Sequence, residues 1–557
     1  MMLGLVLFLT TLACGEIWAV HLKHGVNVTE FASEHGVVLE DMDHVLPNLY
    51  SFSRSAGAGK RALQTRLDGD IERVNWAEEQ VPRQQFTRGG PTEDPNYAEQ
   101  WHLHGTESTA CIDAHEGHTY SGKHVLIGVV DDGLQHVHPE IQANYDAAHS
   151  FNFNGGPNGL KDPSPTNGRD GHGTSAAGVA VASKHNGHCG RGVAYNAHVA
   201  GIRLIAAPTT DLQEAQALSK YNSRIHIYTN SWGPPDTGRG MDAPGRITRE
   251  TIARFGGDSK GRHGLGSIYV WAAGNGAHHG DSCAFDGYAS NPYVNAIGAL
   301  NYEGHPSWYS EGCSALMAVM PSSGAGKGIM TADLMGPQGY APGECNPSFG
   351  GTSSAAPTAA GVFALLLEKT PTLTWRDMKH VIALGATQVN PTDAQWHTNS
   401  RGYHHHNMYG FGLLKVPALM TVLNHYDPVP AVQKQFISHK ITHDTPIVDS
   451  IAMVFDLTNS TTGIGFIENA IVMVELTHPR RGDVRVSLQS PEGTWSELAP
   501  WRSQDDNVNY PPGGWHFNSV HFWGEETADG QWTLEFQDRR HGELGIVKSA
   551  QIAVFGF

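Results

Sequence analysis

Between residues 91 and 425, short continuous apolar runs alternate with alanine-rich stretches. The runs at 125–130, 198–205, 224–229 and 267–272 are bounded by Gly or polar residues. Strands buried on both faces of a parallel sheet read this way. The stretches 173–184, 212–220 and 354–369 carry helical patterns, the last with Pro357 expected in the first turn, where a helix tolerates proline. This alternation predicts an α/β domain with a parallel sheet flanked by helices. After Asp427-Pro428-Val429-Pro430 the pattern changes to short alternating strands at 451–457, 470–476, 484–488, 531–536 and 550–557, which predicts a separate all-β sandwich of about 125 residues. Ahead of the α/β region, residues 16–88 mix a strand-like run (17–22) with a charged stretch and end at Gly89-Gly90-Pro91, a natural boundary. The expected division is 1–15, 16–88 (a small α+β unit), 89–425 and 426–557.

A chain of 557 residues exceeds the size at which one core keeps growing, in keeping with several folded units. Hydrophobic residues at 39%, charged residues at 17% and 65 glycines describe a loop-rich globular protein and exclude a disordered chain or a coiled coil. The net charge of −18 argues against nucleic acid as a partner and favours basic peptides. Met1 to Ala13 form an apolar run too short to cross a bilayer. With Ala13-Cys14-Gly15 as a small-residue cleavage pattern, it reads as a signal peptide, so the mature chain is expected in the secretory lumen or outside the cell, without a membrane anchor. Export permits disulfides. Cys111, Cys189, Cys283, Cys313 and Cys345 remain, an odd number without a C-x-x-C pair, which fits disulfides plus one leftover thiol better than zinc. Asn27-Val-Thr29 and Asn459-Ser-Thr461 are candidate glycosylation sites, and His404-His405-His406 reads as a solvated loop rather than a metal site.

Acyl transfer by serine needs a hydroxyl, an imidazole to take its proton, a carboxylate to hold the imidazole, and donors for the oxyanion. Asp131 ends the run 125–130. His172, in Gly171-His172-Gly173-Thr174, opens a small-residue helix. Ser353, in Gly350-Gly351-Thr352-Ser353-Ser354-Ala355-Ala356-Pro357, heads the most apolar helix of the chain. All three sit where α/β folds place their sites, at strand ends and helix starts. Asn275, in Ala273-Gly274-Asn275-Gly276 after the run 267–272, is the side-chain oxyanion donor that would act with the Ser353 backbone N–H. Singly these are common loop or cap sequences; in the order Asp, His, Asn, Ser they point to one reaction.

With these residues in place the sequence resembles the subtilisin-like proteases, in particular their kexin and furin branch, the proprotein convertases. Similar text includes Val130-Asp131-Asp132-Gly133, Ser231-Trp232-Gly233-Pro234, Asp281-Ser282-Cys283 and Thr374-Trp375-Arg376-Asp377-Met378. In the sandwich, Arg480-Arg481-Gly482-Asp483 and Gly530-Gln531-Trp532-Thr533-Leu534 resemble the family's P domain, and Trp18-Ala19-Val20 its propeptide. The resemblance implies a calcium-dependent serine endopeptidase that cleaves precursor proteins after basic residues, Arg preferred, and that is first restrained by its own propeptide; a monomer is expected. It assigns Asp236 and Asp286 to the pocket for the residue before the scissile bond, Asp132 to the next subsite, and Glu214, Asp242 and Tyr288 two subsites further out. It implies one calcium site from Asp94, Glu140 and Asn186 with carbonyls near Ser183, His188 and Gly190, and a second from Asp236, Asp281 and Glu311. A third family site is lost, its carboxylates being replaced by Asn152, Gly155, Pro157 and Gly159. Cys189 would pair with Cys345 and Cys283 with Cys313, leaving Cys111 as a buried thiol.

Two departures modify the expectation. Arg169 stands where the family often has an acid at the second subsite, which relaxes a dibasic requirement. The propeptide junction has no multibasic site, so Arg88 or Arg83 would serve for self-cleavage, with Lys60-Arg61 at the internal position and Ser53 in place of the family's propeptide histidine. The competing readings are a broad-specificity secreted subtilase, which would need neither the acids nor a P domain, and an inactive binding protein, which would not need the complete set of catalytic groups.

Overall fold

The computed structural model describes the chain except residues 1–16, 42–46, 55–59, 81–92, 106–107, 156–158, 431–432, 459–462 and 541–543. The expected signal peptide, Arg83, Arg88 and Asn459 lie outside the described residues. The chain divides into two compact units, Met1–Gly90 and Pro91–Phe557.

The first unit is built from β1 (Ile17–Leu22), α1 (Val28–His35), β2 (Val37–Asp41), β3 (Leu49–Arg54), α2 (Lys60–Gly69) and β4 (Val74–Gln80), with an antiparallel sheet ordered β2-β3-β1-β4. The two-residue alternation of β1 turns Trp18, Val20 and Leu22 inward, where they meet Phe31, Phe52, Leu63 and Leu67. Asn27 serves the fold, because its side chain accepts the Thr29 N–H (3.1 Å) and caps α1. Lys60-Arg61 opens α2.

The second unit holds a seven-stranded, wholly parallel sheet ordered β11-β10-β9-β8-β5-β7-β6. Its strands are β5 (Leu126–Asp131), β6 (Phe151–Asn152), β7 (His198–Arg203), β8 (Ile227–Asn230), β9 (Ile268–Ala272), β10 (Val294–Leu300) and β11 (Leu316–Pro321). Every residue of β5, β9, β10 and β11 is buried, which explains their unbroken apolar sequences. Among the described residues the second unit's α-helices are α3 (Pro139–Gln142), α4 (His172–Val181), α5 (Asp211–Ser219), α6 (Arg246–Ile252), α7 (Thr352–Lys369), α8 (Trp375–Gly385) and α9 (Val416–Leu423). α7 begins at Thr352, so Pro357 is its sixth residue and lies past the first turn where it was expected. Proline has no N–H to give the Ser353 carbonyl one turn earlier, and that carbonyl accepts the Ser231 hydroxyl at 3.2 Å instead.

The sandwich forms two antiparallel sheets. One runs Lys434–Ile437, Gly545–Gly556, Ile467–Thr477, Trp515–Ser519, with Thr445–Ile447 also paired to Gly545–Gly556. The other runs Ser450–Asp456, Gln531–Asp538, Val484–Gln489, Trp495–Ala499. Arg480-Arg481-Gly482-Asp483 contributes a single 3-10 turn, Arg481–Asp483, leading into a strand. The sandwich and the α/β layer meet along a seam where the buried Glu468 accepts Arg376 (2.8 Å), His380 (2.8 Å) and Gln433 (2.6 Å). The histidine run is also part of this packing and is no solvated loop. His405 and His406 are buried, His405 bonds to the Leu316 carbonyl, and its ring lies 4.1 Å from that of His521 in the sandwich. Cys189–Cys345 and Cys283–Cys313 are bonded, and Cys111 is a free, buried thiol.

Candidate active site

Asp131 is the last residue of β5 and almost wholly buried, with its carboxylate on His172 Nδ1 at 2.9 and 3.1 Å. His172 is the first residue of α4. The next residue has to be glycine: a Cβ on Gly173 would lie 2.2 Å from the Gly133 carbonyl and 2.8 Å from Asp131 Cβ. Burial draws the imidazole pKa down, but the charge and hydrogen bond of Asp131, helped by Asp132, outweigh it and push His172 up to about 9. The carboxylate therefore favours the imidazolium that a general base becomes. α4 packs against α7, and Phe349, four residues before Ser353, sets its ring edge-on to His172 at 5.5 Å.

Ser353 is the second residue of α7, where backbone N–H groups have no acceptor within the helix. Asn275 is fixed beside it. Its Oδ1 accepts the Thr352 N–H (2.8 Å) and the Thr352 hydroxyl (3.1 Å), which assigns the orientation of the amide and leaves Nδ2 to donate elsewhere. Gly351, at φ +71°, makes this approach possible, since a Cβ there would come within 3.2 Å of Asn275 Oδ1. Thr352 is a residue that sequence reasoning missed, although its place between Gly351 and Ser353 was a usable signal.

Asp132 plays a part that its sequence neighbours did not announce. Its carboxylate accepts the N–H groups of His172 (3.2 Å) and Gly173 (2.8 Å) and so caps α4. Burial and the neighbouring Asp131 charge raise it to about 7. Arg203, at the end of β7, was also missed: it donates to the Asp132 carbonyl (2.9 Å) and pairs with the buried Asp170 (2.6 Å), holding the loop that delivers His172. Arg169 is exposed on that loop.

The remaining acids cluster on neighbouring loops. Asp236 Oδ2 accepts the Asn275 N–H at 3.0 Å, and Glu311 Oε1 accepts the Gly276 N–H at 2.8 Å. A Cβ on Gly276 would touch Asp281 Cβ (2.7 Å), Glu311 Oε1 (2.8 Å) and Asp236 Cβ (3.1 Å), so three carboxylates surround one glycine. Asp286 Oδ1 accepts the Tyr288 N–H at 2.7 Å, and its Oδ2 faces Gly233. Burial, reinforced by the Asp236 and Asp281 charges, raises Asp286 to about 7, and burial with the Asp281 charge lifts Asp236 and Glu311 as well. Asp242 pairs backbone to backbone with Asp286. Beyond it, Glu214 accepts the Tyr288 hydroxyl (2.7 Å) and the Thr209 hydroxyl (2.8 Å) at a cavity of about 360 Å³ that Asp242 and Trp232 also line.

Asp94 accepts the His185 and Asn186 N–H groups, both at 3.0 Å, with Arg191 at 3.2 Å. Glu140, on α3, is fully buried and its carboxylate makes no hydrogen bond of good geometry, with only Asn186 and the Gly190 N–H beside it as weak partners; burial and then the Asp94 charge raise it to about 8. A buried carboxylate so weakly satisfied suits a cation. Among the described residues, no group of three or more His, Cys, Asp or Glu side chains is arranged to hold a metal ion.

Comparison with known proteins places this geometry. Residues 122–412 match the subtilase family, and residues 467–554 match the proprotein convertase P-domain. The chain is 36% identical to human furin over 564 residues, covering 97% of this chain and 68% of furin. It is 33% identical to the rat proprotein convertase subtilisin/kexin type 6 over 572 residues, covering 97% of this chain and 59% of that protein. It spans only 30% of the human type 5 convertase. A serine protease of Aeromonas sobria shares the fold, with a TM-score of 0.73 at 24% identity over 85% of this chain and 98% of that one.

Proposed function

Because the chain belongs to the subtilase family, in its furin- and kexin-type proprotein convertase branch, we propose that it is a serine endopeptidase that cleaves precursor proteins after basic residues, Arg above Lys, in the secretory route. The observation that supports this reading is that Asp236 accepts the N–H of Asn275, the residue whose amide is fixed beside Ser353, and that Asp286 feels the Asp236 charge. A guanidinium desolvated beside the oxyanion site needs such carboxylates.

In the proposed reaction His172 takes the proton of Ser353 Oγ as that oxygen attacks the carbonyl carbon. Asp131 steadies the imidazolium, and Asn275 Nδ2 with the Ser353 N–H receives the oxyanion. His172 then protonates the leaving amine, and a water activated by the same imidazole releases the acid product. Glu214, Asp242 and Tyr288 would receive a second basic side chain further upstream. With Arg169 on the loop ahead of His172 and the Asp132 carboxylate engaged on α4, a basic residue next to the scissile Arg is not required.

Asp94, Glu140 and Asn186, with carbonyls near Ser183, His188 and Gly190, would hold one calcium ion; Asp236, Asp281 and Glu311 converge on Gly276 without being preset as a metal site and would have to close around a second. Calcium would supply charge neutralisation that keeps these buried acids ionised and the loops fixed. Residues 16–88 would be the inhibitory propeptide. A cleavage profile on a peptide library tests the reading. Arg before the cut in nearly every product, and loss of turnover in EDTA, support it; cuts after apolar residues would favour the broad subtilase.

A further inference from the structure

The acids of the proposed specificity pocket repel one another, and besides the calcium proposed above a fixed cation from the sandwich meets one of their neighbours, Asp281. Arg502 is 1% exposed. Its Nη1 donates to Asp281 Oδ1 at 3.3 Å and to the Gly240 carbonyl at 2.5 Å, its Nη2 pairs with Asp505, and its plane lies 3.6 Å over the Phe285 ring. These contacts span both loops that carry the acids. Gly240 lies between Asp236 and Asp242, and Phe285 directly precedes Asp286. Asp281 in turn accepts the Gly238 N–H (2.7 Å) and the Ser282 N–H (3.0 Å), so the guanidinium, the carboxylate and the two loops form one connected set.

Neighbouring sandwich residues hold the same loops in other ways. Arg481 and Asn507 donate to the Arg239 carbonyl (2.6 and 3.2 Å), Asp506 pairs with Arg239 at the surface (2.9 Å), and Trp515 Nε1 donates to the Ala284 carbonyl (2.8 Å). Of these, only Arg502 reaches a carboxylate of the cluster. A guanidinium can serve a carboxylate, a carbonyl and an aromatic face at once because its donors are planar and divergent; an ammonium cannot.

We propose that Arg502 is a positioning residue for the specificity pocket: by fixing Asp281 and the two loops it holds Asp236 and Asp286 in place for the substrate's basic side chain. The pocket is thus completed by the sandwich. This rests on the arginine-specific reading above.

The test uses the full mature chain, with Ser353→Ala as the background for binding. Benzamidine, an amidinium mimic of the arginine side chain, is the probe. Arg502→Ala should weaken benzamidine about tenfold and raise KM for an Arg peptide by a similar factor, with kcat within about threefold. Arg502→Lys, which keeps the charge, should show the same KM-only pattern at about threefold, and it carries the test should the alanine variant fail to fold. Asp506→Ala, which removes a surface pair on the same loop, should leave both constants unchanged. Variants that melt earlier while keeping benzamidine affinity and KM would overturn the proposal, reducing Arg502 to a structural contact. Absence of benzamidine binding with Arg502 intact would overturn the arginine reading itself, and this proposal with it.

Discussion

Asp131, His172 and Ser353 stand on the end of β5 and the first residues of α4 and α7, while Asp236, Asp281 and Asp286 stand on loops whose far side is gripped by another layer of the protein. In the first region regular structure delivers each group: a strand end, a glycine that lets a helix start close by, a helix N-terminus with free N–H donors. In the second, carboxylates surround Gly276, a buried arginine from the sandwich meets one of them, and on the proposed reading they also hold calcium. On the proposed reading, the reacting groups are thus set by local backbone geometry within the α/β layer, and the selecting groups by tertiary contacts between that layer and the sandwich.

Changes in the first region should act on turnover. Asn275→Ala, with its Nδ2 lost from the oxyanion site, should lower kcat by about a hundred- to a thousandfold with KM nearly kept, measured by steady-state kinetics on an Arg peptide. Changes in the second should act on recognition. Asp286→Asn should lower kcat/KM for an Arg peptide by about 30-fold or more, because the guanidinium would then be buried without its full counter-charge. The same change should matter far less for a peptide with an uncharged residue before the cut, and an equal loss on both peptides would break the distinction. The smallest effect is expected where the regions touch. The base works when His172 is neutral, and Asp132 adds to the upward pull on its pKa. Asp132→Asn, whose amide oxygen keeps one of the two N–H groups of α4, should remove that charge and move the acid limb of the kcat/KM profile to lower pH by up to about one unit. A shift to higher pH would contradict this electrostatic account.

The same contrast decides what the sequence could reveal. Asp131, His172, Ser353 and Asn275 were readable because glycines and small residues flank each one, and those neighbours are there for the close approaches now seen at Gly173 and Gly351. The acids were reached by resemblance to a family, not by pattern, because a carboxylate in a loop looks like any solvated charge. Arg502 was invisible for the same reason, as was the Arg376–Glu468 pair, although Arg376 lay in text that resembled the family. The strands β10, β11, Trp495–Ala499 and Trp515–Ser519 escaped notice too. The last two mix apolar and polar residues because they pack against a neighbouring layer as well as within their own sheet, and Trp515 reaches out of the sandwich to the Ala284 carbonyl. His404-His405-His406 misled because a run of imidazoles is polar by composition, yet two of its rings are buried in the seam.

The central claim is that Ser353, through His172 and Asp131, performs cleavage that the acidic loops direct to arginine. The most direct measurement compares wild-type and Ser353→Ala proteins, purified in parallel, on one fluorogenic Arg peptide. The account predicts that kcat falls by about a millionfold in Ser353→Ala while benzamidine still binds. Equal turnover by the two proteins would contradict it.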